Sequence, residues 1–174
     1  MSVSISRMGR ILAYKDKKIV MKSYIKPSTI TEIGTISENL RQEDVDEIAA
    51  QSGDTPKSGL LYCFFMSKPC MTMVSRNGYL MGAYGVVPEG GNTGRIWMLG
   101  CDRMVKDKKD KWWFLGESRR QLAKLQLKYP LLFNVVDARN EVHIKWLQWM
   151  GFTFIKKYPQ WGPESRLFYE FVRV

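Results

Sequence analysis

Residues 131–152 read LLFNVVDARNEVHIKWLQWMGF, and no other run of the chain limits its fold so closely. Leu131 to Val136 is apolar and β-branched and lies between Pro130 and Asp137, which suits a buried strand better than a helix. A helix should follow. Asn140 can cap it by accepting backbone N–H bonds, and Ile144 with Leu147 and Trp146 with Met150 recur at helical spacing. Gly151 can take the left-handed position that ends such a helix, after which Phe152 opens another strand.

A chain of 174 residues suits one domain, and 45% hydrophobic content with 13% aromatics is ample for a packed core. No apolar run reaches the roughly 18 residues of a membrane span, and charges stand where a signal peptide would have its apolar core. The expectation is a non-exported, cytoplasmic protein without a membrane span. Cys63, Cys70 and Cys101 lack C-x-x-C spacing, and His143 alone cannot complete a usual zinc set, so reduced thiols and no metal are expected. The formal net charge of +10 suits nucleic acid, an anionic cofactor or an acidic protein surface. Basic residues gather from Arg7 to Lys26 and from Lys106 to Lys111, without the regular aromatic interleaving of a single-strand stacking platform. They read as solvated surface.

Residues 1–20 read as a basic, detachable, partner-binding arm, residues 21–174 as the domain, and Met1 and Met21 both as candidate starts. Met21 to Ile30 suggests an edge strand weakened by Pro27, and Ile36 to Ser52 a helix with Val45, Ile48 and Ala49 on one face, ended by Gly53. Thr55-Pro56 starts a second helix that Lys68-Pro69 stops. A hairpin follows, turning at Arg76-Asn77-Gly78, then a loop at residues 88–92 and a strand from Gly94 to Asp102. After a basic loop comes a long helix from Trp112 to Tyr129, with Leu115, Leu122, Leu125 and Tyr129 turned inward. Phe152 to Tyr158 and Arg166 to Val172 suggest a closing hairpin.

That order, β, α, α, β, β, β, α, β, α, β, β, with its Asn-capped helix and Gly-Phe exit, resembles the GNAT acyltransferase superfamily. The resemblance implies an α/β (α+β) fold, a mixed, mainly antiparallel sheet of about six to seven strands flanked by about four helices. It also implies that Gly94–Asp102 and Leu131–Val136 splay apart, that acetyl-CoA lies in the opening, and that its pyrophosphate sits at the N-terminus of the long helix. On that placement the cofactor-binding candidates are Leu99, Gly100, Lys106, Lys108, Lys109, Lys111 and Asn140. More closely, NGYLMGAYGVVPE, GRIWMLGCD, the basic helix opened by Trp and Phe, and residues 131–152 together resemble GNAT-like phage proteins related to the internal virion protein of short-tailed bacteriophages. That implies other virion proteins as partners and a place in the host cytoplasm or the virion.

Two departures from the superfamily pattern shape the functional expectation. Its pyrophosphate loop is usually rich in small residues that bring backbone N–H groups to phosphate, whereas residues 104–111 read MVKDKKDK and hold no glycine. Where many members carry a Tyr that protonates the departing thiolate, four residues before the Gly of Gly-Phe, this chain has Leu147. Acetyl-CoA should bind weakly, through lysines. The catalytic candidates that remain are Asp102, as a base near a strand end beside Glu89, and Cys101, as a nucleophile whose plain reading is a buried thiol. Asn140 is explained as a helix cap, and His143 as a polar residue at a helix start. The expectation is a virion structural or assembly protein with a degenerate acyl-CoA cleft. An active acetyl-CoA-dependent N-acyltransferase is the alternative, and a basic nucleic-acid-binding module the third.

Overall fold

The computed structural model describes residues 22–174, so the arm expected at residues 1–20 lies outside the described residues. A seven-stranded sheet forms the centre: β1 (Tyr24–Pro27), β2 (Cys70–Val74), β3 (Leu80–Gly90), β4 (Thr93–Gly100), β5 (Leu131–Asp137), β6 (Thr153–Trp161) and β7 (Arg166–Arg173), in the order β1-β2-β3-β4-β5-β7-β6. Every neighbouring pair is antiparallel except β4 and β5, which run parallel. The helical segments are α1 (Ile30–Ser37), α2 (Gln42–Ser52), α3 (Pro56–Met66), the single turn α4 (Arg103–Lys106), α5 (Lys108–Lys128) and α6 (Glu141–Trp149).

The sheet divides the core in two. On one face α5 and α6 bury Phe114, Leu122, Leu125, Leu147 and Met150 against Tyr84, Val86, Leu132 and Phe171. On the other, Ile33, Ile36 and Leu60 from α1 and α3 meet Ala83, Val87 and Trp97.

Several boundaries differ from the sequence reading, each for a local reason. The helix expected over residues 36–52 is two helices. Thr29 opens the first with a capping box to Glu32, and Leu40 then forms a bridge with Cys101, which requires extended backbone between α1 and α2. The buried residues of α2 are Asp44, Glu47, Ile48 and Ala50, while Val45 and Ala49 are half-buried, because both acids find partners inside the molecule. The basic loop is α4 and the first turn of α5, since Asp107 accepts the N–H groups of Lys109 and Asp110 and so starts the long helix earlier. Phe114, not Leu115, is the buried residue there.

Residues 131–152 fold as their pattern dictates. Asn140 caps α6 through the N–H of His143, and Gly151 exits it at φ 84°.

Because Leu122 is 4% exposed and joins α5 to the core, Leu122→Ala should destabilise the protein by roughly 2–5 kcal/mol in urea unfolding. A loss below about half a kilocalorie, the range of surface substitutions, would contradict this packing.

Candidate active site

The site grows from the parallel pair. β4 and β5 are joined only through Thr93 with Leu131, Gly94 with Leu132 and Arg95 with Phe133, and beyond these residues they part in a V. Gly94 lies at the closed end because a Cβ there would run into the Val86 side chain and the Tyr129 ring. Past Arg95, the β4 backbone groups that face β5 lose their strand partner and must be satisfied otherwise. The Asn134 side chain reaches back to donate to the Ile96 carbonyl at 2.7 Å. At the far end the Gly100 N–H donates to Asp44 Oδ2 at 2.8 Å, and the Gly100 carbonyl accepts from the Arg41 N–H at 2.9 Å. Alternation along a strand puts the Met98 N–H and C=O on this same side. Among the described residues no side chain bonds to them.

Helix α2 bars the open end of the V. On the β4 side Asp44 is held by Gly100 and by the Arg41 guanidinium, at 2.6 and 3.1 Å. Burial pushes the Asp44 carboxyl up, against the pull of Arg41. On the β5 side Glu47 Oε2 accepts from the Asn140 side-chain amide at 2.8 Å, and His143 Nδ1 stands 3.9 Å from the same carboxylate. Both heteroatoms of the Asn140 side chain are therefore engaged, its oxygen on the α6 cap and its nitrogen on Glu47.

Between these fixed ends lies a cavity of about 400 Å³. Its walls are mostly apolar: Met98 of β4, Leu122 and Leu125 of α5, Leu147 and Met150 of α6, and Phe171 of β7. Of the residues on those walls, Glu47 lends only one carboxylate oxygen to Asn140, while His143 Nδ1 and the Trp146 indole nitrogen are covered by protein and make no hydrogen bond. Tyr84 also lines the cavity, donating to Gln121 at 3.1 Å, while Gln121 donates to Glu117 at 2.6 Å. Burial raises the Tyr84 hydroxyl above its ordinary range, so it stays protonated at neutral pH. On the helical side Phe114 stacks on Trp146 with ring centroids 5.7 Å apart, and Arg119 lies 3.8 Å over the Trp149 ring while donating to the Trp149 carbonyl. These contacts tie α5 to α6 above the cavity.

The N-terminus of α5 is occupied by the protein itself. Asp107 Oδ1 accepts the N–H groups of Lys109 and Asp110 at 2.8 and 3.2 Å, and Arg76 bonds Asp107 Oδ2 at 2.6 Å. The bond from Arg76, with the help of the Asp110 N–H, holds the Asp107 carboxyl below its usual range, so the cap stays anionic until the pH falls through that lowered value. Lys106, Lys108, Lys109 and Lys111 are all exposed around it.

The sequence candidates are thus distributed unevenly. Leu99 and Leu147 line the cavity, Gly100 ends the strand beside it, and Asn140 braces it through Glu47. Cys101 is buried in the other half of the core, with its thiol pushed up to about 11 by burial. Asp102 is exposed and pairs with Lys106 at 3.6 Å, and Glu89 pairs with Arg95 at 2.9 Å. Glu47 and Tyr84 were not among the candidates. The signal for Glu47 is its place on one helical face with Asp44 and Ile48, three residues after an Arg41–Asp44 pair. Among the described residues no group of three His, Cys, Asp or Glu side chains converges as a metal-ligand set, and no helix is long and apolar enough to cross a membrane.

No protein-family model and no curated protein matches the sequence. Solved structures do. Ard1 from Thermoplasma volcanium superposes with a TM-score of 0.66 at 14% identity, over 88% of this chain and 97% of that one. A GNAT-family acetyltransferase from Bacillus anthracis gives 0.64 at 10% identity, over 89% and 96%. The chain has the GNAT fold. YncA from Salmonella typhimurium, solved with its cofactor acetyl-CoA, is a further GNAT-fold neighbour, at a TM-score of 0.60 and 14% identity over 87% of this chain and 92% of that one.

A double-mutant cycle between Asn140→Ala and Glu47→Ala tests the brace. Asn140→Ala alone removes a cap and leaves a buried carboxylate without its donor, and should cost about 1–3 kcal/mol. The two substitutions should couple by more than about 0.5 kcal/mol, whereas strictly additive losses would place the residues in independent environments.

Proposed function

We propose that this protein is an acyl-CoA-dependent N-acyltransferase that takes the thioester arm into the V between β4 and β5. The observation that carries the reading is the cavity at that parting, with the Met98 backbone open toward it and Glu47 on its wall. The residues present fit the thioester arm but not the pyrophosphate, because Asp107 already holds the N–H groups at the start of α5. When bound, acyl-CoA supplies an acyl group activated as a thioester.

The chain's own groups would do the rest. Met98 offers an N–H and a C=O to an extended arm, as a neighbouring strand would. The Trp146 indole N–H, covered by protein and without an acceptor, would have to turn toward the cavity to donate to an oxygen on which negative charge grows. Glu47 would take one proton from an incoming ammonium, and the neutral amine would then form its bond to carbon as the carbon–sulfur bond breaks, its second proton going to the departing thiolate. A thiol with an ordinary pKa of about 8.5 leaves readily as thiolate, so Leu147 in place of a Tyr slows the step without forbidding it. Lys106, Lys108, Lys109 and Lys111 would meet the phosphates as point charges, screened over about 8 Å at physiological salt, which makes binding salt-sensitive.

One observation favours a second reading. A carboxylate at the helix N-terminus repels the group that the fold elsewhere attracts there. A GNAT-fold phage protein with a structural or assembly role in the virion, its cleft no longer used for catalysis, would account for Asp107.

Thiol release from acetyl-CoA with an amine panel separates the two. The acyltransferase reading expects turnover that Glu47→Gln lowers by about 10²–10⁴-fold. It also expects Asp107→Ala to tighten binding of CoA while leaving binding of pantetheine unchanged, as read by calorimetry. Absence of both thiol release and thioester binding would favour the structural reading.

A further inference from the structure

We infer that the cavity is built for an apolar primary amine, an alkylamine or arylalkylamine, with its ammonium at Glu47 and its body among the side chains beneath α5. The inference rests on the acyltransferase reading for what then happens to the amine, but the site itself can be tested alone.

Three features carry it. The first is a contrast of charge. The chain has a formal net charge of +10, yet the cavity presents a carboxylate, Glu47, that keeps one oxygen free of hydrogen bonds and is 9% exposed. The free oxygen is not among the atoms sealed from solvent, so an ammonium can reach it and form a charge-assisted hydrogen bond. The other charged groups on the wall are already used: Glu117 by Gln121 and Arg120, Asp54 by Ser52 and Ser58, and Arg95 by Glu89. One available carboxylate suits one ammonium, not a polyamine.

The second feature is the floor. The lining includes Met73, Met98, Leu122, Leu125, Phe152 and Phe171, each buried or half-buried. Unbranched methionines adapt to chains of different shape, and an apolar chain entering here leaves water for a dry environment. The third is what surrounds the floor. Phe114 on Trp146 and Arg119 on Trp149 tie the two helices together beside the cavity, and α2 closes one side of the V through Asp44 and Glu47. A peptide brings backbone amides and further charges that this apolar lining leaves without partners. A small apolar amine brings none.

Calorimetry on the full chain without any thioester tests the inference, using hexylamine, hexan-1-ol, spermidine and a lysine tripeptide. Hexylamine should bind at least tenfold more tightly than hexan-1-ol, spermidine and the tripeptide, and affinity should rise by up to about fourfold per added methylene from butylamine to octylamine. Glu47→Gln should remove the preference for amine over alcohol while the alcohol still binds. Should that variant fail to fold, Leu125→Phe, which narrows the floor, must reduce octylamine binding more than butylamine binding. Equal or tighter binding of spermidine or the tripeptide, no gain with chain length, or an unchanged preference in Glu47→Gln would overturn it. Amine binding without acyl transfer would refute the acyltransferase reading alone, and transfer to peptides without binding of apolar amines would refute this inference alone.

Discussion

The parting of β4 and β5 after three residue pairs is the constraint to which the rest of the structure answers. A strand that leaves its neighbour inside a protein exposes N–H and C=O groups to an apolar interior, and each must find a partner or cost as much as a lost hydrogen bond. Asn134 satisfies Ile96, while Asp44 and Arg41 satisfy Gly100. Placing Asp44 there in turn fixes where α2 starts and brings Glu47, three residues on, across to Asn140. Two polar contacts, both from α2, thus link the end of β4 to the start of α6. Of the β4 residues that face β5 past Arg95, only Met98 lies between the satisfied Ile96 carbonyl and Gly100.

The same logic explains how much of the site could be read in advance. Strand, cap and exit in residues 131–152 are local chemistry: β-branched residues, an Asn with a free oxygen, a Gly at positive φ. They were legible because each depends on neighbours in sequence. Glu47 is different. Its inward orientation depends on Asn140, 93 residues away, and α2 read by apolar periodicity alone turns Val45 and Ala49 inward instead. The position of Asp107 is an intermediate case. The absence of glycine in residues 104–111 was plain, but not that a carboxylate would take the two N–H groups, because that requires the helix to begin at Lys108. Asp102 and Cys101 stood near the right strand end in sequence and fell outside the cavity, one exposed beside Lys106 and the other buried in the opposite core.

The two ends of the cleft make opposite statements about its use. At the end proposed for the thioester, the Trp146 N–H and His143 Nδ1 are buried without partners, and one oxygen of Glu47 makes no hydrogen bond. Buried polar atoms without partners are rare in folded proteins and tend to be completed by a water, an ion or a ligand. At the phosphate end the groups are finished by Asp107 and Arg76. On the acyltransferase reading, such a protein would recognise the arm of an acyl donor more by shape than by its phosphates.

The central claim is that the gap in the V receives an extended thioester arm along Met98. Backbone amide chemical shifts of the isotopically labelled protein, followed as S-acetylpantetheine is added, test it most directly. The account predicts saturable shifts at Met98, Val135 and Leu147 and at the Trp146 indole N–H, with Lys108 to Lys111 unmoved because this probe has no pyrophosphate. Saturable binding that leaves Met98 and Trp146 unmoved, or no shift at any concentration, would contradict it.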